Sequence, residues 1–479
     1  MDAEASTSGG LQQLADQAFK RAAGAPLVPG NRVRVLKDAV ANFPAWLDAI
    51  RAAERTVYFE SYIVGDDRIG REFVQALAER ARAGVRVRLL YDWLGTRHSR
   101  SLFAPLVDAG GTVRAFNPPR LDSPVGWLTR DHRKSIVVDG RVGFVSGLCA
   151  AVQWLGDPAR GLDPWRDTGI EIRGPAVAEI ERAFAQAWGA SEGAPIDAGE
   201  LTPPDAIALQ GDVALRVVAT VPNSSGLLRL DQLIAAAAQA RLWLTDAYFV
   251  GVTPYVQALC AAARDGVDVR LLVPGSSDLP LVSRLSRAGY RPLLEGGVRV
   301  FEWNGSMLHA KSAVADDRWT RIGSTNLNVA SWLNNYELDV AIEDDRLGAE
   351  MAAMYEQDLG NATEIVLGRR YRVRASSAPR RGRRALSGSA GRAAAGAVGV
   401  GAAMGAVLTR RRALGPAEAS LLGFVALILI VLAVVAVLWP AVLAYPIALI
   451  AAWAGIVTLL RARRLWRERR ERGRAVRSS

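Results

Sequence analysis

The hydrophobic and polar positions of residues 1–365 contain one pattern that occurs twice. In residues 52–92 a short β-branched and aromatic run is followed by an amphipathic helical pattern, which ends at Gly84, and by a second β-branched run. Residues 239–275 repeat this order, with the helical pattern ending at Gly266. Strands that alternate with helices are typical of parallel α/β sheets, and glycine is typical of a helix end. The pattern therefore predicts two α/β lobes.

Changes in composition predict the divisions of the chain. One more strand and helix precede each repeat, in "NRVRVL" with "AVANFPAWLDAI" and in "VALRVV" with "LDQLIAAAAQA". A segment rich in Pro, Gly and Asp separates the repeats, as is typical of a linker. The predicted divisions are an N-terminal segment 1–27, lobe 1 at 28–191, an inter-lobe linker 192–212, lobe 2 at 213–365, a basic Gly/Ala/Arg-rich linker 366–418, two transmembrane helices at 419–460 and a basic tail 461–479.

Residues 421–460 form a run of forty residues without a charged side chain. About twenty helical residues cross the roughly 30 Å hydrocarbon core of a bilayer. Because Pro440 and Pro446 interrupt the run at its middle, it predicts a helical hairpin. Arginines flank the run, with six in residues 461–470, so the positive-inside rule puts both flanks in the cytoplasm. Residues 393–408 are too short and too weakly hydrophobic to predict a third span, and a surface-bound helix is the alternative.

The net charge of +11 is distributed unevenly. Residues 369–479 carry 21 Arg and 3 Glu, a net +18, so the remaining 368 residues sum to −7. A nucleic-acid enzyme would usually carry its positive field around the folded body, whereas here the excess borders an apolar segment and favours a membrane surface as partner. The two cysteines provide no disulfide framework, and the start "MDAEASTSGG" does not match a signal peptide. We therefore expect the lobes to lie in a reducing cytoplasm.

Candidate chemistry comes from an octet that nearly repeats. Residues 132–139 are "HRKSIVVD" and residues 309–316 are "HAKSAVAD", so His, Lys and Asp recur at the same spacing after an offset of 177 residues. The chain has three histidines, and four lysines among 59 cationic residues, yet each octet contains one of each. Lys at both positions in a chain dominated by Arg indicates a requirement for a compact ammonium group. A structural histidine remains the alternative for one octet alone, but the pair favours chemistry.

The residues after each octet extend the match. A glycine-bearing loop starts fourteen residues after each histidine, "SGLC" from Ser146 and "GSTNLN" from Gly323, and an acidic residue follows, Asp167 or Glu337. Over about residues 30–365 the chain resembles the phospholipase D superfamily, whose signature is His-x-Lys, four residues, then Asp, with a Gly-Ser or Gly-Gly loop ending in Asn. The segments "GNRVRVLKDAVANFPAWLDAI" and "WRDTGIEIRGPAV", together with the membrane spans, are similar to bacterial cardiolipin synthases. The implied fold class is α/β, with two phospholipase D-like α/β/α lobes related by a pseudo-twofold axis and a C-terminal transmembrane helical hairpin.

The resemblance implies that each lobe supplies half of one active site. Displacing an alkoxide from a phosphodiester requires a nucleophile on one face of phosphorus, an acid on the opposite face, and cations around the developing charge. The two octet histidines would face each other across the phosphate, with His132 favoured as the nucleophile. The expected catalytic residues are His132, Lys134, Asp139, His309, Lys311 and Asp316, and the expected phosphate-binding or orienting residues are Ser146, Asp167, Ser324, Asn326 and Glu337. No metal and no cofactor is expected, because Lys and Asn would carry the charge stabilisation.

Several side chains have a second interpretation. Asp139 and Asp316 are about equally well explained as acceptors in turns. Glu60 and Asp246 occupy equivalent strand positions, and a structural role is favoured over a place in the cleft. The candidates for a lipid entrance are His98, Trp93, Trp127 and Trp165, although scattered aromatic residues more often pack in a core or at a rim.

One residue departs from the family pattern. The first loop usually ends in Asn, but this chain has Cys149, and a thiol cannot hold a phosphate oxygen as an amide can. Compensation by Ser146 and backbone N–H groups, a degenerate half and a specialised subfamily all remain open.

The predicted function is that of a membrane-anchored phosphatidyltransferase. A phosphatidyl group from an anionic lipid such as phosphatidylglycerol would form a phosphatidyl-histidine and pass to an alcohol on a second lipid. A phospholipase D that produces phosphatidic acid is the nearest alternative, followed by a nuclease and a non-catalytic membrane scaffold. The expected partners are anionic phospholipids and the membrane, with no nucleic acid. The expected location is a bacterial-type inner membrane, with the lobes and both termini in the cytoplasm.

Overall fold

The structure is a computed structural model of the whole chain. It describes residues 17–96, 100–119, 128–367 and 373–375, with four isolated positions between 438 and 453. The predicted linker 366–418, hairpin 419–460 and tail 461–479 therefore lie almost wholly outside the described residues, as do His98 and Trp127. Among the residues that are described, no helix is both long enough and apolar enough to cross a membrane.

Lobe 1 alternates strands and helices, as its hydrophobic pattern predicts. Asp67 starts the second helix, because its side chain accepts hydrogen bonds from the backbone N–H groups of Ile69 and Gly70. The elements are β1 (Val28–Lys37), α1 (Asp38–Arg51), β2 (Thr56–Ser61), α2 (Arg68–Arg82), β3 (Arg86–Asp92), α3 (Arg100–Asp108), β4 (Thr112–Phe116), β5 (Lys134–Val138), β6 (Val142–Ser146), α4 (Val152–Leu155), β7 (Thr168–Arg173) and α5 (Val177–Ala190).

Lobe 2 begins after two short 3-10 turns, Ala198–Glu200 and Pro204–Ala206. Its elements are β8 (Val213–Thr220), α6 (Gly226–Ala237), β9 (Arg241–Thr245), α7 (Thr253–Arg264), β10 (Asp268–Pro274), α8 (Pro280–Ala288), α9 (Tyr290–Glu295), β11 (Arg299–Trp303), β12 (Ser312–Ala315), β13 (Trp319–Gly323), β14 (Glu337–Glu343), α10 (Asp345–Leu359), β15 (Ala362–Leu367) and β16 (Val373–Ala375). A π-helical turn, Ala330–Asn334, precedes β14.

The described strands form one sheet of sixteen, in the order β16-β15-β11-β10-β9-β12-β13-β14-β8-β1-β7-β6-β5-β2-β3-β4. In each lobe the first strand is followed in space by the seventh, sixth, fifth, second, third and fourth strands of that lobe, so both lobes have the same connectivity. The lobes join where β1 pairs antiparallel with β8. The predicted α/β class is confirmed.

The hydrophobic core has one part in each lobe and one part shared between them. The shared part combines α5 residues such as Phe184 and Trp188 with α10 residues such as Met351 and Tyr355, and with strand residues of both lobes. Fully burying such a side chain contributes about 1.5–3 kcal/mol. A core common to both lobes explains why the described residues of lobe 1 and lobe 2 belong to one compact unit.

Candidate active site

The two octets occupy equivalent central strands of the sheet. β5 lies between β2 and β6, and β12 lies between β9 and β13. Each histidine precedes its strand, and the segment that carries it pairs with a segment of the other lobe. The His132 backbone N–H donates to the Tyr336 carbonyl at 2.9 Å, and the His309 backbone N–H donates to the Arg166 carbonyl at 2.7 Å. Because Tyr336 and Arg166 directly precede the two acidic residues, these contacts align each histidine with a carboxylate from the opposite lobe.

The histidine–carboxylate pairs therefore cross between the lobes. His132 Nδ1 lies 2.8 Å from Glu337 Oε2, and His309 Nδ1 lies 2.7 Å from Asp167 Oδ2. In the sequence Asp167 follows His132 and Glu337 follows His309, so chain order suggests the opposite pairing. With Nδ1–H donated to a carboxylate, the lone pair of each neutral imidazole is on Nε2.

Burial and local charge set the protonation of this group. Burial lowers the pKa of His309 to about 3; Lys311 adds to the shift and Asp167 opposes it. Burial also lowers the pKa of His132, against the influence of Glu337. Burial would raise the pKa of each carboxyl group, but the paired histidine and nearby lysine leave the pKa of both Asp167 and Glu337 lowered. The resting site thus contains ionised carboxylates and neutral imidazoles.

The octet lysines complete the positive side of the site. Lys134 donates to the His132 carbonyl, and Lys311 donates to the His309 carbonyl. Lys311 Nζ also lies 2.9 Å and 3.0 Å from the two ring nitrogens of His309. Burial lowers the pKa of Lys311 to about 8, and the charge of Lys134 acts in the same direction. An ammonium group beside a neutral imidazole is favourable, whereas beside an imidazolium it would be repulsive.

Two tyrosines that the sequence analysis missed each contact the histidine and the lysine of one octet. The Tyr62 ring lies edge-on to His132, with 5.0 Å between centroids, and 5.3 Å from Lys134 Nζ. The Tyr248 ring lies edge-on to His309 at 5.8 Å and 5.7 Å from Lys311 Nζ. Their cation–π contacts favour the charged lysines. The signal was present, because "ESYIVG" and "DAYFVG" place both tyrosines at the same position of the repeat.

Tryptophans make the surroundings of the two histidines unequal. Trp154 and Trp165 contact the His309 ring, with centroid separations of 5.2 Å and 5.5 Å. Trp154 Nε1 also donates to Asp167 Oδ2 at 2.8 Å. In the other half the corresponding donor to the carboxylate is Ser324, whose hydroxyl lies 2.6 Å from Glu337 Oε2. The carboxylate that pairs with His132 thus accepts a hydrogen bond from a serine, and the carboxylate that pairs with His309 accepts one from a tryptophan.

The glycine-bearing loops place different chemistry in the cleft. Asn326 lines the cleft with a buried Oδ1 that has no hydrogen-bond partner among the residues that the structure describes. Cys149 occupies the equivalent position in lobe 1 and also lines the cleft, and burial raises the pKa of its thiol although Lys134 opposes the shift. Ser146 is buried and donates to the Leu148 carbonyl at 3.3 Å, so its hydroxyl faces its own loop. A side-chain amide is therefore present at this loop position in lobe 2, and a thiol is present at the equivalent position in lobe 1.

The assignment of Asp139 and Asp316 to the catalytic group is corrected by their positions. Asp139 follows β5, at the strand end opposite His132, and accepts hydrogen bonds from the backbone N–H groups of residues 54–56 at 2.7–2.9 Å. Asp316 accepts equivalent bonds from residues 239–241 at 2.8–2.9 Å. Both have left-handed backbone conformations, with φ of 56° and 50°, which Asp tolerates in turns. They join the turn after the central strand to the start of its neighbour.

The remaining candidates do not all reach the cleft. Glu60 accepts a hydrogen bond from the Ser135 hydroxyl, and Asp246 accepts one from the Leu327 backbone N–H, below the loop that carries Asn326. Neither lines the cleft, and neither does Trp93, whereas Trp165 does. Among the described residues, no group of three or more His, Cys, Asp or Glu is arranged to hold a metal ion.

Two buried arginines hold the lobes together behind the carboxylates. Arg133 donates to the carbonyls of Glu337 and Thr220, at 3.1 Å and 3.0 Å. Arg166 lies 3.0 Å from both carboxylate oxygens of Asp358 in lobe 2. Bidentate contacts of this kind fix geometry as well as charge. The crossed pairs are thus supported by inter-lobe bonds on both sides.

Both histidines and Lys134 line one cleft with a cavity of about 150 Å³, and Lys311 lies against the ring of His309. Its rim contains half-buried apolar side chains from both lobes, and one wall is polar. The apolar rim residues are Ile63, Leu128, Val250, Leu279, Val282 and Val329. The polar wall consists of asparagines and a serine from the loop before β14. Such a cleft fits an amphiphilic molecule with a phosphate at its centre.

Comparisons with known proteins identify the family of this chain. A family model described as "Cardiolipin synthase, PLD-like domain" matches residues 230–359. The cardiolipin synthase of Halalkalibacterium halodurans is 32% identical over 364 residues, which cover 74% of this chain and 72% of the relative. Cardiolipin synthase A of Pseudomonas aeruginosa is 34% identical over 372 residues, which cover 75% and 73%. The crystal structure of phosphatidylserine synthase from Haemophilus influenzae has a TM-score of 0.58 at 15% identity, covers 73% of this chain and 91% of that chain, and bears on the fold alone.

A duplicated α/β fold with one His-Lys pair in each lobe and both histidines in one cleft is the architecture of a phospholipase D superfamily phosphatidyltransferase, and the resemblance seen in the sequence is confirmed. The chain belongs to the cardiolipin synthase family of that superfamily.

Proposed function

We propose that this protein is a membrane-anchored phosphatidyltransferase of the cardiolipin synthase type. It takes a phosphatidyl group from an anionic glycerophospholipid such as phosphatidylglycerol, holds it on a histidine and transfers it to a hydroxyl group of a second lipid. Cardiolipin and glycerol are the products. The observation that carries the proposal is the crossed pairing of both histidines with carboxylates of the opposite lobe, in one cleft that both histidines and Lys134 line.

In the first step one imidazole attacks phosphorus through Nε2. An N–P bond forms while the P–O bond to the headgroup breaks, and the other histidine gives its proton to the leaving oxygen. The carboxylate on each Nδ1–H keeps the ring oriented and stabilises its positive charge. The negative charge of the bound phosphodiester also favours the charged form of the acid, which burial disfavours in the empty cleft.

In the second step the acceptor hydroxyl loses its proton to the histidine that served as the acid. Its oxygen bonds to phosphorus as the N–P bond breaks, which regenerates both residues. Lys134 and Asn326 line the cleft and are suited to contact the non-bridging oxygens throughout, and Lys311 supplies a further positive charge beside His309. Water in place of the lipid hydroxyl would give phosphatidic acid, so the bound acceptor decides between transfer and hydrolysis.

The roles of the two histidines are part of this proposal. The sequence favours His132 as the nucleophile. The pKa of about 3 that burial gives His309, and the ammonium of Lys311 against its ring, instead support His309 as the neutral attacking base. His132 would then be the acid in the first step and the base in the second.

The membrane anchor is proposed from the sequence, because residues 421–460 lie almost wholly outside the described residues. A hairpin there would put the lobes and both termini on the cytoplasmic face of a bacterial inner membrane. The basic linker would hold the cleft near anionic headgroups, at about 1 kcal/mol for each arginine close to the surface.

The decisive experiment uses the purified full chain in phosphatidylglycerol vesicles, with the products resolved by mass spectrometry. Cardiolipin together with free glycerol is the expected result. Phosphatidic acid as the main product would replace the proposal with a phospholipase D, and no turnover would favour a non-catalytic scaffold.

A further inference from the structure

The two walls of the cleft differ chemically, although the lobes share one connectivity. In lobe 2 the segment 328–335, here called the amide segment, contributes Asn328, Ser331, Asn334 and Asn335 to the lining. With the offset of 177 residues that relates the two octets, Trp154 of lobe 1 is at the position equivalent to Ser331 of lobe 2. Trp154 is buried against His309 and Asp167. At this position lobe 1 therefore has a bulky indole ring, and lobe 2 has the small hydroxyl group of Ser331.

Several polar atoms of the amide segment have no protein partner. The Ser331 side chain is only 2% exposed, yet in the part of the chain that the structure describes its hydroxyl makes no hydrogen bond. The exposed Asn334 amide likewise makes none among the described residues. Asn335 uses one N–H on Glu337 Oε1 at 3.3 Å. A hydroxyl that borders the cleft without a protein partner is open to a hydrogen bond from a ligand or water.

The backbone of the amide segment has an uncommon form. Residues Ala330–Asn334 make a π-helical turn, closed by a hydrogen bond of 3.0 Å from the Asn335 backbone N–H to the Ala330 carbonyl. π-turns are rare and frequently occur at functional sites. Asn328 supports this one, since its side chain accepts from the Ser331 backbone N–H and donates to the Tyr248 carbonyl, both at 3.0 Å. The side chains of Ser331 and Asn334 are therefore attached to a backbone turn that hydrogen bonds hold in place.

The amide segment begins two residues after Asn326, which lines the cleft and contacts the phosphate in the proposed function. In a glycerophospholipid the headgroup is bonded to phosphorus, so it must lie beside whatever holds the phosphate oxygens. Amide and hydroxyl groups carry no net charge and offer both donors and acceptors, which suits the hydroxyl groups of a neutral polyol. An ammonium headgroup would need a carboxylate instead, and the cleft offers Asp278, which accepts a hydrogen bond of 2.7 Å from the Tyr248 hydroxyl.

We propose that the amide segment binds the neutral polyol headgroup of the donor lipid and, after that headgroup leaves, the hydroxyl-bearing headgroup of the acceptor lipid. The inference rests on the proposed function and adds to it the residues that select the headgroup. The same surface would serve both steps, because the leaving oxygen and the entering oxygen occupy the same side of phosphorus.

The test compares two donor lipids with identical acyl chains, phosphatidylglycerol and phosphatidylmethanol, in detergent micelles with the full chain. The wild-type protein should have the higher kcat/KM for phosphatidylglycerol. Ser331→Ala and Asn334→Leu should each reduce the ratio of the two kcat/KM values by between about twofold and about tenfold, the effect of one lost neutral hydrogen bond. The value for phosphatidylmethanol itself should stay within about twofold, which separates lost recognition from lost folding.

Asn304→Leu is the matched control, because Asn304 is exposed and its amide contacts Thr363 outside the cleft. It should leave the ratio unchanged. An unchanged ratio in both amide-segment variants overturns the inference and leaves the proposed function standing. A wild-type preference for phosphatidylethanolamine over phosphatidylglycerol also overturns it, in favour of an ammonium site at Asp278. Absence of turnover on every donor lipid overturns the proposed function, and the inference with it.

Discussion

Replacing Glu337 with Gln tests the crossed pairing directly. The carboxylate is fully buried and accepts from His132 Nδ1 at 2.8 Å and from the Ser324 hydroxyl at 2.6 Å. Hydrogen bonds to a charged group contribute about 1.5–3 kcal/mol each, and glutamine loses the charge and keeps a single acceptor oxygen, so losing one bond and weakening the other costs about 2.5–4.5 kcal/mol. At 1.36 kcal/mol for each tenfold change, kcat should fall by about 10²- to 10³-fold. The amide can also present an N–H to Nδ1, which would place the ring proton on Nε2, where the reaction needs the lone pair.

The assay is turnover of phosphatidylglycerol by full-length protein in vesicles. Glu343→Gln is the matched control, because Glu343 ends the same strand and is exposed; it should keep normal activity. A double-mutant cycle on unfolding then identifies the partner, since a coupling of at least about 1.5 kcal/mol is expected between Glu337 and His132. Coupling to His309 in its place, or activity of Glu337→Gln within tenfold of wild type, would refute the crossed arrangement.

Four further predictions follow from the site and the tail. A donor lipid with p-nitrophenol as its leaving group needs no acid, so it separates the nucleophile from the acid. If His309 is the nucleophile, His132→Gln should still release a burst of p-nitrophenol and His309→Gln should not. The reverse result would identify His132 as the nucleophile. Activity should survive exhaustive chelation, and a restorable need for a divalent ion would contradict the expectation of a metal-free site. Because the pKa of His309 falls from 6.5 to about 3 on folding, the unfolded chain binds more protons in that range, so this group should remove about 2 kcal/mol of stability between pH 7 and pH 5; denaturant unfolding should show a flatter pH dependence for His309→Gln. Cysteine labels beside Arg412 and Arg464 should both react only from the cytoplasmic side, and external labelling of either would exclude the hairpin.

Local patterns in the sequence were sufficient for the α/β class. Alternation of strand and helix patterns, each helix closed by a glycine, follows from side-chain periodicity that neighbouring residues set themselves. Of the residues that the sequence predicted for the site, His132, Lys134, His309 and Asn326 line the cleft. They were found because paired spacing of His, Lys and an acid is unlikely to recur without a shared site. Its two tyrosines were overlooked, although Tyr62 and Tyr248 hold the same place in both repeats.

Sequence spacing was misleading for Asp139 and Asp316. Both complete the octet, but a strand lies between each of them and its histidine. A strand advances about 3.3 Å per residue. The histidine and the aspartate of one octet are therefore close in the sequence but lie at opposite ends of the strand. Their carboxylates bind backbone N–H groups there, a role that a motif in one dimension cannot separate from a catalytic one.

The sequence by itself determined which chemical groups the protein contains in duplicate, and that each copy sits at a strand of the same α/β unit. Only the tertiary structure decided that each histidine takes its carboxylate from the other lobe, across 205 residues for His132 and 142 for His309. It also decided that tryptophans form one wall of the cleft and that the polar side chains of the amide segment form the other. The reason is physical: strand and helix periodicity is fixed by neighbours along the chain, whereas the partner of a buried charge is fixed by the packing that brings distant segments together.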